Sequence, residues 1–308
     1  MNKNDNILFS IIIPTFNRAG IIGRAIESVL AQTYPYWELI VIDDGSTDNT
    51  REIVQKYKDK RIKYFYQENK ELNGARNKGV ELSLGEYIGF LDDDDEYMEN
   101  HLENFKNAII NSGNKIGIYK SGLLLKIRDK LIKTENYNNK KHKNPVNYIL
   151  FGETNLLPLI FHKKIFLNLK FNTDCILFDD HNFLIKAVLE YPFIETNTYT
   201  CIYIKHPEAR TIMYFKEKNK LDNLLNCVEE LFNTKGEEIE LSTHKHIKSE
   251  LNSTFYLNFA HKSINYKNYF QSLKYIAKAL KTYRNPKIIK RSIIVIIRLV
   301  YRIIIKIK

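Results

Sequence analysis

Residues 37–50 read WELIVIDDGSTDNT, and the fold turns on how they are read. The first six, WELIVI, read as a strand. That run delivers Asp43 and Asp44 at its end. Gly45-Ser46-Thr47-Asp48 then supplies a turn and several N-cap residues for a helix carrying Ile53, Val54 and Tyr57 on one stripe. A strand that ends in carboxylates and passes at once into a helix is the repeating unit of an α/β sheet.

Reading outward, ILFSIII at 7–13 is an earlier strand stopped by Pro14, followed by Ile21, Ile22, Ala25, Ile26, Val29 and Leu30 at helical spacing before Pro35. Downstream, RIKYFY at 61–66, a helix from about Asn73 and EYIGFL at 86–91 complete β-α-β-α-β-α-β. The alternation predicts an α/β, Rossmann-like, mainly parallel sheet flanked by helices. From His101 to about Thr211 the pattern is less regular. Apolar runs at 116–127, 156–167 and 199–204 read as a mixed extension of the same sheet. Beyond Met213, residues such as Leu221, Leu224, Leu225, Val228 and Leu231, then Leu273, Ile276, Ala277 and Leu280, fall at helical spacing. The expected division is 1–212, with a nucleotide-binding half at 1–100 and an acceptor half at 101–212, followed by an appended α-helical region at 213–308.

The 308 residues, 44% hydrophobic, suffice for a sizeable core. The net charge of +11 is uneven, because residues 287–308 hold seven Lys or Arg and no acid, leaving about +4 for the rest. That distribution speaks against nucleic acid as the partner and directs attention to the tail. The three cysteines lack metal-site spacing. The opening MNKNDNILFS lacks the apolar core and cleavage site of a signal peptide, and no apolar stretch approaches the roughly 18 residues of a membrane span, so a cytoplasmic location is expected.

In open parallel sheets ligands bind outside the carboxyl ends of the strands, which here bear Pro14 to Arg18, Asp43-Asp44 and Asp92-Asp93-Asp94-Asp95. Two like charges 4 Å apart repel by about 4 kcal/mol at an effective dielectric near 20. A hard divalent cation, Mg²⁺ or Mn²⁺, relieves that repulsion. The alternative is a solvated acidic turn; the run's place on the same edge as Asp43 and Asp44 favours the metal.

Four segments, SIIIPTFNR (10–18), ELIVIDDGSTDNT (38–50), GARNKG (74–79) and GEYIGFLDDDD (85–95), resemble the family 2 glycosyltransferases of GT-A fold, of the bacterial surface-polysaccharide type. The resemblance covers roughly the first hundred residues and extends more weakly to about residue 211. It implies that Pro14, Thr15, Asn17, Arg18 and Arg76 line the nucleotide pocket, and that Asp44 accepts a hydrogen bond from the base, with Asp43 in support. A carboxylate acceptor suits uracil, whose N3 carries a proton, and so favours UDP. Asp92-x-Asp94 maps onto the family's DxD element: Asp94 reaches the metal, Asp93 the ribose, and Asp92 the nucleotide or the support of the metal. Thr15 and Asn17 also read as turn residues, and Arg76 as an ion-pair residue. Lys70 and Glu71 stand where glycines are common in the family.

On the acceptor side, an alcohol is a poor nucleophile until a base takes its proton. Asp179-Asp180-His181-Asn182-Phe183 resembles the family's Glu-Asp motif, with Asp179 in the Glu place and Asp180 in the place of the base. Both also read as carboxylates favoured at a helix N-terminus. Tyr203-Ile204-Lys205-His206 resembles its Tyr-x-x-His element, which implies His206 as a ligand of the metal or a neighbour of the diphosphate.

The resemblance therefore implies an inverting, metal-dependent glycosyltransferase using a nucleotide sugar, with a lipid-linked or polysaccharide acceptor of cell-surface glycan synthesis. A nucleotidyltransferase is the first alternative, although Pro14-Thr15-Phe16-Asn17 is not a Gly-rich basic phosphate loop. A non-catalytic nucleotide-sugar-binding protein is the second, and Asp179 and Asp180 count against it.

On a helical wheel Lys287, Lys290, Arg291, Arg298, Arg302, Lys306 and Lys308 fall within an arc of about 160°, with most Ile, Val and Leu residues outside it. This reads as a basic amphipathic helix suited to the inner surface of an anionic membrane. The competing reading is a helix packed on the protein's own core with a solvated basic face.

Overall fold

The uninterrupted apolar runs form the centre of the sheet. The computed structural model describes residues 6–134, 137, 144–151, 155–175, 178–204, 220–242, 246–265, 268–283 and 285–307. In it β1 (Phe9–Thr15) and β2 (Trp37–Asp43) are buried at every position. Helix α1 (Ile22–Leu30) crosses between them and buries Ile22, Ala25, Ile26 and Val29. Then come α2 (Thr50–Gln55), β3 (Ile62–Tyr66), α3 (Glu71–Leu82) and β4 (Tyr87–Phe90). These four strands pair in parallel in the order β3-β2-β1-β4. Parallel pairing with crossover helices sends every strand end to one edge, and the register sets Thr15 beside Asp43 there. Helix α3 lies close against the sheet, since a Cβ added to Gly79 would collide with the Ile12 side chain.

The second half is mixed. It contains β5 (Glu96–Tyr97), α4 (His101–Asn111), β6 (Ile118–Ile127), β7 (Lys130–Lys133), α5 (Pro145–Phe151), β8 (Leu159–His162), a 3₁₀ turn (Lys163–Leu167), α6 (Asp179–Glu190) and β9 (Phe193–Ile204). The sheet runs β3-β2-β1-β4-β8-β6-β9-β5, with β7 on β6. β8 enters antiparallel between β4 and β6, so the sheet is parallel through β1 to β4 and again for β6 with β9, the mixed extension expected of the second half. The three apolar runs of the second half hold β6, β8 and the end of β9. β5, only two residues long, follows the acidic run and pairs antiparallel with the end of β9. An aromatic layer joins these parts: Phe171 and Phe183 stack at 4.2 Å, and Phe90 meets Phe171 edge-on at 5.2 Å.

The chain divides into two units, Met1–His206 and Pro207–Lys308. In the second, α7 (Lys220–Ser242), α8 (Ile247–Asn265), α9 (Tyr269–Thr282) and α10 (Pro286–Ile307) follow one another. Helix α10 buries Ile288, Ser292, Val295 and Leu299, one stripe at helical spacing. The buried Ser253 hydroxyl donates to Ala279 O at 3.0 Å and ties α8 to α9. Among the described residues, no helix is long and apolar enough to cross a membrane.

Candidate active site

The loops after β1 and β2 are held to each other by their own polar groups. Asp44 N donates to Thr15 O at 2.9 Å. Asn17, at φ 54°, accepts from Thr47 N at 2.8 Å through its side chain, while its backbone N donates to Ser46 Oγ at 2.8 Å. Asn17 therefore clasps the two loops. Pro14 is buried inside β1 opposite Ile42, and Thr15 is buried at the strand's end. Asp43 accepts from Ser46 N at 2.8 Å and from the Tyr64 hydroxyl at 2.6 Å, and so braces the turn. Asp44 Oδ1 accepts from Gln67 Nε2 at 2.6 Å and Lys70 N at 2.9 Å. Burial raises the Asp44 pKa, with those two donors opposing it.

After β4 the acidic run folds into a turn, with Asp95 N donating to Asp92 O at 3.1 Å. The turn gathers Asp92, Asp94 and Asp95, which can each offer a carboxylate oxygen with all three within 4.8 Å of one another. Asp93 points elsewhere, 3.7 Å from Arg18 Nε. Burial pushes the Asp93 pKa up to about 7, its acidic neighbours adding to the shift while Thr15 and Arg18 oppose it. Asp95 is fully buried, and its Oδ1 accepts from Ile204 N at 2.8 Å while its Oδ2 has no hydrogen-bond partner. Burial, then Asp92 and Asp94, raise its pKa well above the ordinary value. A buried, unsatisfied carboxylate oxygen beside two other carboxylates is a costly arrangement that a cation relieves. The donor set is entirely hard oxygen, which fits Mg²⁺ or Mn²⁺.

Arg76 links this run to the start of α6. Only 2% exposed, its Nη1 donates to Asp180 Oδ1 at 2.6 Å and to Asp179 Oδ2 at 3.0 Å, and its Nη2 lies 3.6 Å from Asp92 Oδ1. Burial alone would depress the Arg76 pKa, but Asp180, Asp179 and Asp92 more than reverse it. Asp180, at the start of α6, is raised to about 6 by burial, with Arg76 opposing and Asp179 and Asp92 adding. Neighbouring residues of α3 hold the same junction. Asn73 Nδ2 donates to Asn172 O and Cys175 O at 2.8 and 3.0 Å, and Asn77 both donates to Phe171 O and accepts from Phe171 N.

Thr15, Arg18, Asp44, Arg76, Asp92, Asp93, Asp94 and Asp180 thus share the edge formed by the ends of β1, β2 and β4 and the start of α6. Arg76 there meets the carboxylates of Asp92, Asp179 and Asp180, with Asn73 Oδ1 at 3.4 Å and the Phe171 ring 5.5 Å from its guanidinium carbon. His206 lies outside the described residues. Tyr64 and Gln67 belong to the same edge without having been singled out in the sequence, although the rule that strand ends carry the ligand applies to β3 as well. Asp95's bond to Ile204 N spans 109 residues, and no local pattern signals it. An open hollow of about 650 Å³, lined by Arg24, Glu27, Glu96 and Glu99 among others, contains none of the candidate residues.

The fold is similar to that of S. aureus TarS 1–349 crystallised with UDP-GlcNAc, at TM-score 0.58 and 17% identity over 90% of this chain and 89% of that one. It is also similar to the mannosyltransferase PcManGT of Pyrobaculum calidifontis with GDP-Man and Mn²⁺, at TM-score 0.56 and 16% identity over 91% and 77% of the two chains. The architecture is GT-A, a mixed α/β sheet with appended helices. Residues 10–161 match the family described as Glycosyl transferase family 2, and the chain belongs to that family through its first unit. Over 100 residues it is 47% identical to the Escherichia coli protein named UDP-Glc:alpha-D-GlcNAc-diphosphoundecaprenol beta-1,3-glucosyltransferase WfgD, covering 32% of this chain and 40% of that one. Such matched stretches span from 14% to 63% of the length of the curated relatives.

Proposed function

We propose that the chain is an inverting, metal-dependent glycosyltransferase that moves a sugar from a UDP-sugar to a hydroxyl of a lipid-linked or polysaccharide acceptor in cell-surface glycan synthesis. The observation that carries this reading is Arg76, which brings the acidic run after β4 and the Asp179-Asp180 pair of α6 into one site. Donor-side and acceptor-side carboxylates are thereby close enough to act on the two partners of a single transfer.

Asp44 is the acceptor for the uracil N3–H, with Thr15, Asn17, Arg18 and Asp93 around the nucleoside and Pro14 behind them. Asp94, with Asp92 and Asp95, holds Mn²⁺ or Mg²⁺, and His206 is a further candidate ligand. A bound cation neutralises the charge that builds on the departing nucleoside diphosphate. Asp180 takes the proton of the acceptor hydroxyl as its oxygen attacks, while Arg76 fixes the carboxylate's position. A single base facing the leaving group inverts the anomeric centre. The UDP donor finds support in the TarS complex with UDP-GlcNAc and in the donor named for WfgD, and the lipid-linked acceptor in the diphosphoundecaprenol of the WfgD name. Such an acceptor places the enzyme on the inner face of the cell membrane, reached through residues 287–308.

Incubation with a panel of nucleotide sugars and Mn²⁺ tests this by release of nucleoside diphosphate. Release is expected to need the metal and to fall by about 10²–10⁴ in Asp180→Asn, with a comparable loss in Asp94→Ala. Turnover unchanged in both variants would sink the assignment, and release of pyrophosphate instead would mark a nucleotidyltransferase. Asp180 must be ionised to accept a proton, so activity should fall as pH drops through about 6. An acid limb that persists in Asp180→Asn would assign it to another group.

A further inference from the structure

From Leu251 to Lys308 the sequence carries thirteen Lys or Arg and no Asp or Glu. The first 250 residues hold 34 basic and 36 acidic side chains, so the chain's whole positive excess lies in its last 58 residues. Within that segment the structure separates α10 into faces that the sequence merged. One stripe, Ile288, Ser292, Val295 and Leu299, packs inward. A second apolar stripe stays in solvent: Ile289, Ile293 and Ile297 are 42%, 51% and 61% exposed and stand one turn apart, bordered by exposed Lys290. Helix α9 repeats the pattern, with Phe270 at 70% and Leu273 at 50% exposure on a face shared with exposed Lys274, Lys278 and Lys281.

We propose that the outer faces of α9 and α10 dock on an anionic bilayer, with Ile293 and Ile297 entering the headgroup boundary and the lysines binding lipid phosphate. This deepens the membrane side of the proposed function and rests on its membrane-linked acceptor. Charge selects the occupant. A second copy would set two acid-free, strongly basic surfaces against each other, whereas an anionic surface accepts both the apolar side chains and the cations. The exposed isoleucines are interrupted by cations, and α10 does not qualify as a span, so it lies in the plane of the interface. Of the basic arc expected from the helical wheel, Lys287, Arg291 and Arg298 turn to α8, where they meet Glu250, Asn258 and His261, so exposed Lys290 and the lysines of α9 supply attraction and the exposed isoleucine stripe supplies insertion.

Flotation of the full chain with vesicles of equal parts phosphatidylglycerol and phosphatidylcholine tests the proposal against vesicles of phosphatidylcholine alone. Binding is expected to the anionic vesicles, to weaken with salt, and to fall at least about tenfold in Ile293→Gln/Ile297→Gln. Each of Lys278→Gln and Lys281→Gln should lower it about fivefold at low salt. Circular dichroism checks that these exposed substitutions leave the helices folded. Equal binding to both vesicle types, or an isoleucine variant that binds like the original, overturns the proposal. A stable dimer dispersed by that variant overturns it too, because the stripe would then be a self-association face. Release of nucleoside diphosphate without vesicles should be unchanged in these variants. Loss of release from the unaltered chain with vesicle binding intact would refute the transferase reading and leave the docking surface standing.

Discussion

Asp44 and Asp180 are both carboxylates on the same edge, yet they are held by different means. Asp44, in the donor half, is fixed by an amide side chain and a backbone N–H that lie 23 and 26 residues downstream. Asp180, in the acceptor half, is fixed by a guanidinium 104 residues upstream, buried and shared with two other carboxylates. The proposed donor pocket is a product of successive β-α units, each of which closes its own loop. The proposed acceptor site forms when α3 is docked against the segment before α6.

The largest effect should therefore come from removing the shared cation. Arg76→Met removes the buried cation that Asp92, Asp179 and Asp180 share, and breaking a buried ion pair from one side costs about 3–5 kcal/mol. Urea denaturation of the original and the variant measures it. Gln67→Ala, which takes one neutral donor from Asp44, should cost only about 1 kcal/mol. Comparable losses in the two variants would mean that the acceptor site is no more dependent on a single residue than the donor pocket is.

Asn77 tests the same dependence one step from the charges. Its amide satisfies both the N–H and the C=O of Phe171, at 3.0 and 2.9 Å. In Asn77→Ala those backbone groups lose their partners, at a cost of about 1–3 kcal/mol. Because Phe171 belongs to the aromatic layer beneath α6, turnover should drop more than donor affinity does. A change in UDP affinity with turnover intact would place the clasp on the donor side.

The contrast also accounts for what the sequence disclosed. Strands buried on both faces are uninterrupted apolar runs, so β1, β2 and β4, their order of appearance and the carboxylates that follow β2 and β4 were readable from residues 7–95. The insertion of β8 between β4 and β6 was not, because pairing between strands distant in sequence leaves no local trace. Arg76 illustrates the same limit. Its position in GARNKG implied a nucleotide contact, but its guanidinium meets carboxylates 16, 103 and 104 residues away, and that distance hides them from any motif. Asp95 had no role assigned, although it is the most buried of its run; its hydrogen bond to Ile204 depends on β5 turning back onto β9. The tail's basic arc was legible as periodicity, whereas its division into a packed and an exposed apolar stripe depends on which helices lie beneath it.

The smallest effect belongs to Tyr64, and it sharpens the comparison from the donor side. Burial and the adjacent Asp43 carboxylate hold the Tyr64 proton well above the usual phenol range, so the hydroxyl remains a donor across the physiological pH range. Tyr64→Phe removes that one donor and leaves Asp43 its bond from Ser46 N at 2.8 Å. The expected loss is about 1 kcal/mol of stability and a few-fold of UDP affinity, read by calorimetry, with turnover at saturating donor unchanged. A pocket closed by short-range contacts should absorb such a loss locally. Were Tyr64→Phe to lower turnover as Asn77→Ala does, the donor half would be coupled to α6 by some route other than Arg76, and the division between a self-contained half and a dependent one would have to be given up.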